Sequence, residues 1–106
     1  MQRKIYKIGQ NRGNARIWLE GNVLLKNNRK RGSRFVRIIN DDVLTLSFDK
    51  DDFQHDKMHK VAGTDSRPII DMNGKYLSEF FGDATHYEVT FTETFYIHIK
   101  GFVEEY

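Results

Sequence analysis

The sequence predicts a mostly β domain with short helices, built from one strand-helix-hairpin pattern written twice. Three observations carry this. The run Lys7-Ile8-Gly9, Arg16-Ile17-Trp18-Leu19-Glu20, Leu24-Leu25, Gly32 and Val36 to Leu46 recurs as Lys60-Val61-Ala62, Arg67-Pro68-Ile69-Ile70-Asp71, Tyr76-Leu77, Gly82 and Val89 to Ile99. The offset is 53 at Lys7/Lys60, 51 at Arg16/Arg67, and 53 at Val36/Val89 and Leu46/Ile99, so two small indels separate what reads as a tandem duplication. Apolar residues alternate at period two near the C-terminus, and 39% hydrophobic content with eight Phe, five Tyr and one Trp is enough apolar surface to offset chain entropy.

A chain of 106 residues fits one domain, whereas a copy of about 45 residues alone would be marginal. The copies are therefore expected to share one core within a single domain, 1–106. Repeat one spans about 4–48, a connection about 49–58, and repeat two about 59–101.

The elements follow in order. Arg3 to Ile8 reads as a short first strand, and Gly9 to Asn14 as turn chemistry, because Gly and Asn tolerate positive φ. A strand resumes at Arg16. Both parities of Ile17-Trp18-Leu19 are apolar, which suits a strand covered on both faces, by a barrel interior and by a helix, and Ile69-Ile70 reads the same way. From Leu24 to Arg31 there is room for about two helical turns, closed by Gly32 at C′. The counterpart runs from Gly74 to Gly82. Phe35 to Phe48 forms two apolar segments around the polar turn Asn40-Asp41-Asp42. In the matching hairpin Tyr87, Val89 and Phe91 alternate with Glu88, Thr90 and Thr92, and Phe95, Ile97 and Ile99 alternate with Tyr96 and His98. Val103 to Tyr106 is expected to fray.

Charge divides the copies. Residues 1–50 hold twelve Lys/Arg against four Asp/Glu, a net +8, while residues 51–106 hold five against eleven, a net −6. With no cysteine there is no disulfide, no thiolate nucleophile and no sulfur-ligated zinc. No apolar stretch approaches the roughly 20 residues of a bilayer span, and Met1-Gln2-Arg3-Lys4 does not lead into a signal-peptide core, so a cytoplasmic protein without membrane attachment is expected.

The remaining chemistry is oxygen, imidazole or binding. His55 and His59 sit at helical metal-ligand spacing, but the segment reads as a linker without a nearby third ligand, so solvated histidines are expected and no metal or cofactor. Nothing places a base against Ser66, no oxyanion elbow surrounds it, and His86 and His98 are scattered, so catalysis is not expected. Gly9 to Gly13 lacks the lysine and hydroxyl of a phosphate-cradling loop. Trp18, Phe35, Phe48, Phe80, Phe81 and Tyr87 suit either base stacking or a core, and the apolar neighbours of Trp18 favour its burial. From Lys26 to Arg34 no acid is interspersed among the cations, which excludes salt-bridge lacing within the segment and favours binding to a polyanion.

Arg16-Ile17-Trp18-Leu19-Glu20-Gly21, Leu24-Leu25, Gly32-Ser33-Arg34-Phe35-Val36-Arg37-Ile38 and Leu44-Thr45-Leu46 resemble the AbrB/MazE-type swapped-hairpin domain, especially its SymE-like branch. The resemblance covers about 35 residues of the first copy and, more loosely, residues 67 to 99. It implies a swapped-hairpin barrel, here closed within one polypeptide as a pseudo-dimer, and a surface that binds DNA. By matching position the implied contacts are Arg12 and Arg16 in the first loop and strand, Lys26, Arg29, Lys30 and Arg31 on the helix, and Arg34 and Arg37 leading into the hairpin. The second copy departs from this, putting Glu79 and Asp83 where the first is basic. Asp71, Glu79, Asp83 and Glu88, in an acidic set with Glu93, Glu104 and Glu105, then form a candidate surface for a basic protein partner.

The expected function is a non-enzymatic, monomeric or dimeric DNA-binding module that grips duplex DNA mainly through phosphates. Two alternatives stand beside it. One is a phage-type interaction protein that inhibits or targets a nucleic-acid-processing enzyme, in an anti-CRISPR, anti-restriction or methyltransferase-accessory role. The other is a SymE-like toxin acting on RNA.

Overall fold

The computed structural model describes residues 1–104. Strands β1 (Gln2–Lys7), β2 (Gly9–Asn11) and β3 (Asn14–Glu20) lead into helix α1 (Asn22–Lys26) and the hairpin β4 (Arg34–Asn40) and β5 (Val43–Ser47). After a short 3-10 turn at Lys50–Asp52 the same order returns: β6 (His59–Lys60), β7 (Ala62–Gly63), β8 (Pro68–Asn73), α2 (Lys75–Phe81), β9 (His86–Phe91) and β10 (Tyr96–Phe102). The element order matches the sequence reading, with one strand more per half because the polar loops after Ile8 and Val61 each carry a short strand of their own. At the first of these the hairpin turn is Arg12-Gly13, with φ of 52° and 82°, the positive-φ pair that a two-residue hairpin requires.

The strands form two sheets rather than the expected closed barrel. One has six strands in the order β1-β9-β10-β5-β4-β6, and the other four in the order β2-β3-β8-β7. The strands that would carry a ladder from one sheet to the other, β2, β6 and β7, run only two or three residues, too short for closure. Pairing is reciprocal between the halves: β1 lies on β9 of the second hairpin, β6 lies on β4 of the first, and β5 meets β10 as β3 meets β8. A single core takes Ile17, Leu19, Ile70 and Met72 from the small sheet, Leu44, Leu46, Val89, Phe91, Ile97 and Ile99 from the large one, and Leu24, Leu77 and Phe81 from the helices.

Four expectations change. The helices start at equivalent capping glycines, Gly21 and Gly74, and each inserts a fully buried leucine, Leu24 or Leu77. Aligned on those caps, Arg16 falls on Ile69 and not on Arg67. Helix α1 stops at Lys26 instead of reaching Gly32, because the Asn27 side chain donates to the Val23 carbonyl at 2.7 Å and Asn28 turns to φ 59°. Arg29, Lys30 and Arg31 are thus off the helix. Trp18 is not covered: Ile17 and Leu19 are fully buried, so period two turns the intervening Trp18 outward, where it is 37% exposed. Finally, of the expected frayed tail, Glu104 is tied in by its backbone N–H to Thr85 Oγ1 at 2.9 Å and its carboxylate to His86 Nε2 at 3.0 Å. Glu105 and Tyr106 lie outside the described residues. Among the described residues no helix is long and apolar enough to cross a membrane.

Candidate nucleic-acid interface

The eight cations singled out by sequence fall into three groups. Arg16 makes a bidentate contact with Asp71, Nε to Oδ1 at 2.8 Å and Nη2 to Oδ2 at 3.0 Å, and its guanidinium lies 4.5 Å over the Trp18 ring. Arg31 pairs with Asp65 at 2.9 Å. Arg37 holds Asp56 and lies 4.4 Å over Tyr76. These three are neutralised by carboxylates of the second half, so the local absence of acids in sequence did not mean an absence of acids in space.

Arg29 stands alone. Only 6% exposed, it donates from Nη1 to the Asn27 carbonyl at 2.7 Å and from Nη2 to the Thr94 and Tyr96 carbonyls at 2.9 and 3.4 Å. Its guanidinium lies 4.9 Å over Phe48, Nε has no partner, and burial lowers its pKa. A buried arginine cannot be a general phosphate contact, which corrects the sequence reading.

The third group, Arg12, Lys26, Lys30 and Arg34, is exposed and carries no ion pair among the described residues. Arg12 sits in the β2-β3 turn, whereas Lys26 ends α1, Arg34 begins β4 and Lys30 lies on the segment that joins them. Arg34 sits directly opposite Lys60 across β4 and β6, and like charges in that register destabilise the pair unless an anion joins them.

Arg29 and Arg34 line an open groove of about 890 Å³ with Phe48, Lys50, Phe53 and Phe95, a size common for ligand sites. Local hydrogen bonds build its walls. Asp49 Oδ1 accepts the Asp51 N–H at 3.0 Å, and Ser47 Oγ donates to Asp52 Oδ2 at 2.6 Å. These fix the turn that carries Lys50 and Phe53. Opposite, Thr92 Oγ1 donates to the Tyr96 carbonyl at 2.8 Å and accepts the Thr94 N–H at 3.3 Å, shaping the tip that presents Phe95. The Phe48 N–H donates to the Phe95 carbonyl at 2.8 Å and joins the two walls. Phe95 is 56% exposed, outside β10, so it does not share the inward face of Ile97 and Ile99 as alternation suggested. Glu93, an acid on the lining, meets the Met1 amine at 3.4 Å.

Sequence reasoning missed Lys50 and Phe53 as members of this site. Phe53 carried a signal, as a lone aromatic in the polar stretch after Asp49. The acidic candidates do not gather into one patch. Asp71 lies on the small sheet and pairs with Arg16, Glu88 lies on the large sheet, and Glu79 and Asp83 sit on and just after α2, with Glu79 4.0 Å from Lys75. No family model, curated protein or solved structure matches the chain.

Proposed function

We propose that the protein is a non-enzymatic nucleic-acid-binding module whose contact surface is formed by Arg34 and Lys50 on the groove, Lys60 opposite Arg34, and Lys26 and Lys30 in the segment that leads from α1 into β4. The observation that carries this reading is the facing pair Arg34 and Lys60, two exposed cations in cross-strand register with no carboxylate between them. The reading is narrower than a face made of eight cations, because Arg16, Arg31 and Arg37 are held by acids and Arg29 is buried. It also takes the reciprocal pairing of the halves as an internal AbrB/MazE-type pseudo-dimer, in which the first half supplies most of the cationic surface and the second adds Lys60. Each phosphate contact on duplex DNA contributes about −0.9 to the salt slope, and on single strands about −0.7. Replacing Lys30, Arg34 and Lys60 together with Ala is expected to reduce that slope by about 2 to 3 units. A slope and affinity that do not move in salt-titrated anisotropy measurements overturn the reading.

A second reading has its own observation. Trp18 is exposed beneath Arg16 and flanked by the ion pairs Arg16–Asp71 and Glu20–Arg67, an aromatic and arginine grouping of the kind that anchors protein interfaces. Under it, Trp18→Ala abolishes capture of a stoichiometric protein partner and leaves nucleic-acid affinity unchanged.

A further inference from the structure

We propose that the groove takes an unstacked base of a single strand, so that the preferred ligand is single-stranded nucleic acid and not duplex. This rests on the nucleic-acid reading above and adds the ligand class. The argument starts from the aromatics. Phe48 is already engaged, tilted against Phe35 at 5.3 Å and covered by Arg29. Phe53 and Phe95 have no ring partner among the described residues, and Phe95 is more than half exposed on the lip of the groove. Leaving such rings in water is unfavourable, and a base offers them a flat apolar face.

Charge complementarity names the occupant more closely. Arg34 and Lys50 line the groove, Lys60 faces Arg34, and Arg29 buries a cation in its wall with only carbonyl oxygens as partners. A buried guanidinium without a carboxylate leaves a positive potential that an anion entering the groove would offset. Planar apolar surface beside several uncompensated cations fits phosphate and base together. In a duplex the base faces are stacked on one another and unavailable to a side chain, whereas a single strand can give up one base with little loss. At the equivalent place in the second half Gly101 stands where the first half has Phe48, and Phe81 takes up the space beside it, its ring 2.8 Å from where a Cβ of residue 101 would lie.

The test compares a labelled twelve-nucleotide thymidine strand, an abasic strand of equal length and a duplex of equal length, against the wild type, Phe95→Ala and Phe95→Tyr. Phe95 is exposed enough for both variants to fold, and unchanged thermal midpoints check this. The thymidine strand is expected to bind the wild type about 5- to 150-fold more tightly than it binds Phe95→Ala, the range of one base-aromatic stack. The salt slope should not change, Phe95→Tyr should retain affinity, and the abasic strand should ignore Phe95→Ala. If the abasic strand and the duplex bind as well as the thymidine strand and Phe95 is irrelevant to all three, the base site is overturned while nucleic-acid binding stands. If no nucleic acid binds, both fall. Polyglutamate that binds as tightly as the thymidine strand and depends equally on Phe95 assigns the groove to an acidic peptide and also overturns the proposal.

Discussion

Arg37 grips Asp56 at three points: Nε to Oδ2 at 3.0 Å, Nη2 to Oδ1 at 3.5 Å, and the backbone N–H to Oδ2 at 3.1 Å. The carboxylate thereby occupies the edge of β4 just before β6 begins, and fastens the connection between the halves to the large sheet. Phosphate cannot have this arginine without displacing an internal anion.

That grip sets an acid limit. Partial burial pushes the Asp56 carboxyl up, but hydrogen bonds from the Arg37 side chain and backbone, and from the Lys57 backbone, outweigh it and hold the group at about 2 against an ordinary 3.8. The folded state binds this proton less readily than the unfolded chain. The stabilisation is therefore present above 3.8 and lost as pH falls toward 2. It should amount to about 2 kcal/mol. Asp56→Asn is expected to lower the urea midpoint at pH 7 and to flatten the acid limb between those values; an unaltered limb contradicts the assignment.

A second, separate window belongs to His59. Burial first, and then the charges of Arg37 and Lys57, lower its pKa, while Asp56 opposes them from 3.4 Å without hydrogen-bond geometry. Its imidazole also packs against the Phe35 ring at 5.6 Å. The unfolded chain takes up the proton more readily, so stability declines as pH drops below 6.5 toward the lowered folded value. Denaturant titrations between pH 8 and 5 should show this decline in the wild type and a smaller one in His59→Gln.

Arg29→Ala should lower stability as a core mutation does. It strips donors from the Asn27, Thr94 and Tyr96 carbonyls and uncovers Phe48. The expected loss is about 2 to 3 kcal/mol, from charged hydrogen bonds left unmade. For a domain of this size that lowers the thermal midpoint by on the order of 10 °C. Lys30→Ala, on an exposed and unpaired side chain, should leave the midpoint within about 0.5 kcal/mol of wild type, and calorimetry on the two variants separates the roles.

Gly101→Ala should destabilise by overpacking. Its Cβ would meet Phe81 Cδ1 at 2.8 Å and Ala84 Cβ at 3.0 Å, and inserting a methyl into a filled core costs about 1 to 3 kcal/mol. Combining it with Phe81→Leu is expected to recover part of the loss in a double-mutant cycle, whereas strictly additive losses would mean the two positions do not compete for space.

Much of the element order was legible. Gly21 and Gly74 mark helix starts, and the alternation from Tyr87 to Phe91 gives a half-buried strand directly. The pairing of β1 with β9 was not, because period two reports which face a residue takes and says nothing about which strand lies beside it. Trp18 was misread because three consecutive apolar residues hide the parity that Ile17 and Leu19 impose. Arg29 looked like its neighbours Lys30 and Arg31, since what draws it inward is Phe48 together with carbonyls at Thr94 and Tyr96, far along the chain. The groove was legible only in part: the cation Arg34 stood out by composition, but Phe53 and Phe95 meet it through tertiary contacts alone.

The exchange of first strands has a consequence for biosynthesis. β1 is synthesised well before its hydrogen-bonding partner β9, at residues 86–91, so it cannot dock until that strand of the second hairpin has been made. Until then Arg3, Lys4 and Lys7 flank an unmatched backbone edge, and their mutual repulsion keeps neighbouring polysome-borne chains from zipping together at that edge.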